Sequence, residues 1–273
     1  MALSPLAPDR PRRVDLSGAR KGLGCLIVRT LDLDDDARVL VLTGAGISAE
    51  SGVPTFRDSN GLWEQHRFED VASPEGFARD PALVWRFYSQ RRQGAQAVQP
   101  NAGHAALVEL ERRLGDRFLL VTQNVDGLHR RAGSERLIEL HGHLFTSRCS
   151  RCTRAPFADE RLHLEGEAPR CERCGEGFLR PHIVWFGEVL DEVAMARIDA
   201  FMAEAGARLT FLAVGTSGAV YPAAGLVRLA RRRGGNTWLV NAEPADNGEH
   251  FDHFLQGKAS TVLPALLGQA LPD

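Results

Sequence analysis

Ammonium groups are almost absent from this chain: Lys21 and Lys258 are its only lysines. Arginine carries the remaining positive charge and is dispersed along the chain. Dispersal of that kind reads as GC-rich codon usage, since a charged binding surface would show clustering. Net charge is nearly absent too, −2 from 33 basic and 35 acidic residues, with a pI near 6.5. That balance excludes a protein that grips nucleic acid through bulk charge. No apolar run approaches the roughly 20 residues of a membrane span, so no membrane partner is expected. The stretch Met1–Arg13 is rich in Pro and Arg but has no apolar signal core, and Asp9 and Asp15 weaken any likeness to an organelle transit peptide. The expected location is cytoplasmic. Internal repeats and low-complexity tracts are missing as well. Apolar residues are plentiful: 44% hydrophobic against 25% charged over 273 residues supports a sizeable core in one large domain, or a large domain with a smaller insert.

Cysteine is scarce but patterned. Four of the five fall into Cys149-x-x-Cys152 and Cys171-x-x-Cys174, with eighteen residues between the pairs. Two thiolates two residues apart can turn toward one metal, and two such pairs complete a tetrahedron. Gly175 and Gly177 supply the tight turn a knuckle needs. Two disulfides would require an oxidising compartment, and a redox pair would normally stand alone. One structural zinc is expected, with no open coordination position. Cys25, alone beside an apolar stretch, reads as a small core residue.

Six short apolar runs read as buried strands: Arg38–Thr43, Arg117–Thr122, Leu137–Leu140, His182–Phe186, Leu209–Val214 and Thr237–Val240. Helical patterns lie between several of them, notably Ala102–Leu114 and Ala219–Arg233. The alternation predicts an α/β fold with a mostly parallel sheet. Four segments at strand ends are small or polar: Gly44-Ala45-Gly46, Gln123-Asn124-Val125-Asp126, Gly215-Thr216-Ser217 and Asn241-Ala242-Glu243. In an open parallel sheet the ligand crevice lies outside the carboxyl ends of the strands. Four such ends make a polar bed for a large polar ligand, and a dinucleotide fits.

The turn after the first strand resembles the G-x-G-x-x-G/A dinucleotide fingerprint, whose glycines permit a tight bend and close approach to a pyrophosphate at a helix N-terminus. The acid expected about twenty residues later is nominally Glu64. The chain before it, Ser51–Trp63, holds Gly, Pro, Asn and Asp and reads as a loop. A standard dehydrogenase is therefore disfavoured, and a long loop in that place points to function.

Taken together, GAGISAESGVPTFRD (Gly44–Asp58), TQNVDGLH (Thr122–His129), LHGH (Leu140–His143), the paired cysteines, GTS (Gly215–Ser217) and NAE (Asn241–Glu243) resemble the sirtuins, NAD-dependent protein lysine deacylases. The segments come in family order over roughly residues 38 to 268. The resemblance implies a Rossmann-type domain (37–144 and 180–273) that carries a cofactor loop and helical insertion (53–100). It also implies a zinc-binding small domain (145–179) and an N-terminal segment (1–36). Tyr88 and Arg91 match the Tyr-x-x-Arg pair of class III sirtuins, which prefer succinyl, malonyl or glutaryl lysine over acetyl. Three residues apart, they share a face of a helix; Arg offers a planar donor fork for a carboxylate and Tyr a hydroxyl. Composition alone would read the same stretch as a solvated charged face. Ala72 matches a small residue that widens the acyl pocket. Phe68 departs from the class, which carries something smaller there, and leaves the acyl length open.

The same resemblance assigns roles. Gly44, Ala45 and Gly46 cradle the pyrophosphate, with Ala49, Phe56, Arg57 and Trp63 on the cofactor loop side. Gly215, Thr216 and Ser217 bind the adenosine side or nearby phosphates; Asn241, Ala242, Glu243 and Ala259 hold the adenine ribose end. Gln123, Asn124, Val125 and Asp126 line the nicotinamide pocket and order the ribose and a water. The motif Trp185-Phe186-Gly187-Glu188 resembles the family strand that pairs with an extended substrate peptide, so Val184, Phe186 and Gly187 contact that peptide. The acyl oxygen attacks the ribose carbon that releases nicotinamide. His141 is the general base, an imidazole with its pKa in the right range; read from the residues alone it could also be a core histidine or, with His143, a zinc ligand. Free lysine and O-acyl-ADP-ribose result, NAD being consumed. The expected partner is acylated lysine of proteins, and the oligomeric state is not legible. An ADP-ribosyltransferase using the same pocket and a non-catalytic NAD-sensing zinc module remain alternatives.

Overall fold

The computed structural model describes residues 30–55 and 66–269, together with the backbone of Arg12–Asp15 and Leu62–Trp63. Cys25, Phe56, Arg57 and Glu64 lie outside the described residues, and only the backbone of Trp63 is described. In chain order the strands are β1 (Arg12–Asp15), β2 (Arg38–Thr43), β3 (Leu62–Trp63), β4 (His66–Arg67), β5 (Phe118–Thr122), β6 (Leu137–Glu139), β7 (Gly142–Cys149), β8 (Phe157–Ala158), β9 (Leu179–Ile183), β10 (Leu209–Val214), β11 (Asn236–Asn241) and β12 (His253–Gln256). The helices are α1 (Gly46–Ala49), α2 (Phe68–Val71), α3 (Pro74–Arg79), α4 (Pro81–Ala97), α5 (Ala102–Leu114), α6 (Leu128–Ala132), α7 (Glu192–Ala205), α8 (Leu226–Arg232) and α9 (Ala259–Leu266).

Seven strands form one sheet in the order β1-β12-β11-β10-β2-β5-β6, every pair parallel. The central strands are apolar at nearly every position because both faces are covered. Val39, Val41, Leu120, Leu212 and Val240 pack on one face with residues of α5 and α9. Leu40, Leu42, Leu119, Phe211 and Leu239 pack on the other with residues of α7 and α8. The direction of winding reverses beside β2, whose neighbours are β5 and β10, which makes this the switch point of the sheet. Among the described residues no helix is long and apolar enough to cross a membrane.

Helix ends follow local chemistry. Asp80 accepts from the Leu83 N–H at 2.8 Å to start α4, with Pro81 in its first turn. Asn101 caps α5 in a reciprocal pair with His104, and the Asn101 amide also reaches Ile47 O (2.8 Å) and Ser51 Oγ (2.9 Å), fastening α5 to the loop after β2.

Three expectations change. The run His182–Phe186 does not enter the parallel sheet: β9 ends at Ile183 and pairs antiparallel with β7 in a separate sheet ordered β8-β7-β9. At Gly142, with φ +86°, a Cβ would stand 2.1 Å from His182 O, so this close pairing needs the glycine. The helix expected over Ala219–Arg233 begins later, with a 3-10 turn at Ala223–Gly225 leading into α8; Tyr221 precedes Pro222, and a residue before proline is disfavoured in helix. The strand β12 was not anticipated, its four residues HFLQ being too short and too polar at the ends to stand out.

Candidate active site

Carboxyl ends of six adjacent strands, β12, β11, β10, β2, β5 and β6, line up along one edge of the sheet. At about 4.8 Å per strand this edge is about 24 Å long. A cleft of about 1190 Å³ lies over it. In spatial order it is lined by Ala259 after β12, Asn241, Ala242 and Glu243 after β11, Gly215, Thr216 and Ser217 after β10, Gly44, Ala45, Gly46 and Ala49 after β2, Gln123 to Asp126 after β5, and His141 after β6. The opposite wall brings Ala72, Tyr88, Arg91, Val184, Phe186 and Gly187 to the same cleft. Every residue singled out for cofactor, catalysis or substrate that is fully described lies on this one surface.

The glycines do a structural job beside the cofactor role expected of them. Gly44 N–H donates to Val214 O (2.9 Å) and Gly46 N–H to Gly215 O (2.8 Å). A Cβ on Gly44 would stand 2.7 Å from Gly215 O, and one on Gly46 2.6 Å from Gly215 Cα. The glycines thus let the loops after β2 and β10 lie against each other. The helix that follows is one turn, Gly46–Ala49, rather than a long dipole.

Polar side chains then tie the floor together. Asn241 Nδ2 donates to Thr216 O at 3.0 Å, and Gln123 Nε2 donates to Thr216 Oγ1 at 3.1 Å. Asn124, buried, spends both amide hydrogens on Gly44 O and Ser48 Oγ, each at 3.1 Å, which leaves its Oδ1 as the atom able to accept from a ligand or water. Asp126 is buried and accepts from Leu128 N–H at 2.9 Å. Burial pushes its carboxyl up, against the opposing pull of that N–H, the Ser48 hydroxyl and the Arg91 charge.

His141 Nδ1 lies 3.1 Å from Gln123 O. A carbonyl only accepts, so Nδ1 carries the proton and Nε2 keeps its lone pair. Burial lowers the His141 pKa, the Gln123 carbonyl opposing, and the ring is neutral at pH 7. His143 is turned to other partners: its Nδ1 accepts from Phe145 N–H at 3.1 Å and its Nε2 is 3.5 Å from Glu139 Oε1.

Tyr88 is fully buried, and its oxygen accepts from Trp185 Nε1–H at 3.0 Å. Burial raises its pKa to about 12, so it remains a hydroxyl. Trp185 in turn has the Arg180 guanidinium 3.3 Å from its ring centre. Arg180 donates to both Glu188 oxygens (2.6 and 2.9 Å), and Arg148 joins at 3.0 Å. Burial raises the Glu188 pKa, but the two arginines and the Trp185 N–H outweigh it and the net shift is down. The run 184–188 lies outside every strand, contrary to the substrate-pairing strand expected there. Its N–H groups at Val184, Phe186 and Glu188 donate to His141 O, Ala72 O and Trp185 O. Ser48, Trp185 and Glu188 were missed as site residues although each sits within a quoted motif; neighbours of motif residues were the available signal. Tyr221 also lines the cleft, and nothing in the sequence marks it.

The four cysteine sulfurs lie within 4.8 Å of one another, with Cys149–Cys174 and Cys152–Cys171 both at 3.8 Å. A Zn–S bond of about 2.3 Å in a tetrahedron gives S···S edges of about 3.8 Å, so the donor set and its size fit zinc. Cys149 Sγ accepts from the N–H groups of Arg151 and Cys152, both at 3.3 Å. The N–H groups of Gly177 and Glu176 hold the Cys174 thiol below its ordinary value. At Gly177 a Cβ would meet Cys149 Sγ at 2.7 Å. His141 and His143 are not members of the cluster.

Comparison with known proteins agrees with this arrangement. A model of the Sir2 family matches residues 44–222. The NAD-dependent protein deacylase of Salmonella typhimurium is 49% identical over 249 residues, covering 88% of this chain and 86% of that protein. A Sir2 homologue solved with NAD is 40% identical with a TM-score of 0.77, over 88% of this chain and 94% of its own. A Sir2–p53 peptide–NAD+ complex is 29% identical with a TM-score of 0.73, over 85% and 92%.

Proposed function

Because the chain belongs to the Sir2 family, we propose that it is an NAD-dependent protein lysine deacylase whose preferred substrates carry a carboxylate at the end of the acyl chain. The single observation that carries the first half is the order of groups along the strand ends. Hydroxyl-binding acceptors at Asn241 and Glu243 come first, then the loops at Gly215–Ser217 and Gly44–Gly46. The buried amide and carboxyl of Asn124 and Asp126 follow, and the base His141 comes last. NAD supplies a ribose carbon bearing a good leaving group and hydroxyls to be deprotonated. The residues bind, orient and move protons. Asn124 Oδ1 accepts from a hydroxyl or water, its amide hydrogens being committed. His141 Nε2 takes a proton from a ribose hydroxyl, its Nδ1–H held on Gln123 O. The four thiolates would hold one zinc and leave it no open position, a structural role.

Acyl preference rests on α4. Tyr88 and Arg91 both reach the cleft. Trp185 holds the Tyr88 oxygen, and burial keeps the group a hydroxyl, a class of group that hydrogen-bonds carboxylates. Arg91 adds a charge and a planar fork. The substrate protein lies along 184–188, whose N–H groups are largely taken, so pairing falls to its carbonyls; main-chain recognition of this kind reads little sequence. A cytoplasmic location is part of this reading.

The test is a mass-spectrometric assay of one peptide carrying succinyl-lysine and its twin carrying acetyl-lysine, with and without NAD. NAD-dependent loss of succinyl with weak loss of acetyl is expected. Loss of acetyl alone overturns the carboxylate pocket and leaves the deacylase. Labelled ADP-ribose left on protein, with no free lysine, overturns the deacylase.

A further inference from the structure

Helix α4 has two working faces. Tyr88 and Arg91 look into the cleft. About a quarter turn away, Trp85, Ser89 and Arg92 stand at i, i+4 and i+7 on one line, and all three are buried. Each makes polar contacts with the cysteine-bearing module. Trp85 Nε1 donates to Leu179 O at 2.7 Å. Ser89 Oγ accepts from His163 N–H at 2.7 Å. Arg92 donates to Leu144 O (2.7 Å) and Arg161 O (2.6 Å), with Ser147 Oγ at 3.2 Å and Asp159 at 3.8 Å. Apolar packing is shared in the same way: Trp85, Tyr88, Cys149, Cys171, Leu179 and Trp185 belong to one cluster. No separate core divides this helix from two of the zinc ligands.

We infer that the zinc-bearing module sets acyl selectivity through α4, with Trp85, Ser89 and Arg92 as positioning residues that fix the rotation and height of Tyr88 and Arg91 in the cleft. The inference rests on the reading of Tyr88 and Arg91 as carboxylate-binding groups. A bidentate contact tolerates little rotation of its helix, whereas an acetyl group, which makes no such contact, is indifferent to it. The base His141 and the floor of the cleft hang from the parallel sheet and not from α4.

The experiment uses zinc-loaded protein carrying Trp85→Phe and Ser89→Ala together, which removes two hydrogen bonds and keeps most of the volume. The expected result is a five- to tenfold fall in kcat/KM for the succinyl peptide, mainly through KM, with the acetyl value within about twofold of wild type. Equal falls on both acyl groups, or none on either, overturn the inference while the wild-type preference for succinyl still stands. A wild-type enzyme that leaves succinyl-lysine untouched overturns the function reading, and this inference with it. Hydrogen exchange supplies a readout independent of turnover. Removing zinc with a chelator is expected to speed exchange in 81–97 while 209–214 stays protected; unchanged exchange in 81–97 refutes the coupling. Arg92→Lys, which keeps the charge but cannot span Leu144 O and Arg161 O together, is expected to fall between wild type and the double variant in the succinyl-to-acetyl ratio.

Discussion

Over β10 and β11 the cleft is floored by backbone and short polar side chains, whereas under α4 its wall is made of long side chains held by other long side chains. At the first end, loops touch directly, as where Gly46 N–H meets Gly215 O. Asn241 reaches only the neighbouring strand end, and Gln123 reaches across β2 to the loop after β10. At the second, Glu188 holds Arg180, Arg180 lies on Trp185, and Trp185 donates to Tyr88. A backbone floor has few rotamers to freeze and is largely formed before a ligand arrives. A side-chain relay depends on each link, so it can be retuned by substitution without disturbing the sheet. The difference suits a reaction in which one substrate never varies and the other does.

The comparison can be broken first where its two parts meet. His141→Tyr removes the proposed base, and kcat is expected to fall by about 10²- to 10⁴-fold with NAD affinity largely kept, measured by steady-state deacylation beside calorimetric titration of NAD. Gly215→Ala attacks the backbone end. With φ at +63° and a Cβ 2.4 Å from Ile47 N, it is expected to cost about 3 kcal/mol or more in denaturant unfolding and to weaken NAD binding on every acyl substrate alike. Arg91→Met attacks the other end alone. The succinyl peptide should lose roughly ten- to a hundredfold in kcat/KM while the acetyl peptide is little changed, since a charged hydrogen bond is worth about 1.5–3 kcal/mol.

A further effect concerns neither end but the floor beneath. The rings of His104 and His129 lie 4.8 Å apart at a tilt of 56°, and burial takes their pKa values down to about 4 and about 3. Their folded values lie below the ordinary imidazole value, so the stabilising contribution is complete above pH 6.5. It is lost as pH falls from 6.5 toward those values, because the unfolded chain binds more protons there. Each group contributes a slope of about 1.4 kcal/mol per pH unit in that window, read from urea unfolding between pH 7 and pH 5. His129→Asn should flatten the slope.

Much of the backbone end was readable from the chain itself. Apolar runs such as Leu209–Val214 mark buried strands, and the polar residues that follow each run mark a crevice at the carboxyl ends. The four thiols were readable for a similar reason, because two residues of separation already turn a pair toward one point. The α4 end was readable only as a pair, Tyr88 and Arg91. Its supports were not, since Trp85 finds Leu179 ninety-four residues away and Tyr88 finds Trp185 ninety-seven away. The run 182–186 was misplaced for a related reason: an apolar strand reads alike whether it joins a large parallel sheet or a small antiparallel one.

By itself the sequence determined most strands of the parallel sheet, that their ends carry small and polar residues, and that four cysteines are spaced to share a metal, because each of these depends on neighbours a few residues apart. Only the tertiary structure decided which strand ends stand side by side, that the glycines serve the approach of two loops, and that α4 turns one face to the zinc module and the next to the cleft. Helical periodicity says which residues share a face, but which partner that face meets depends on how distant segments pack.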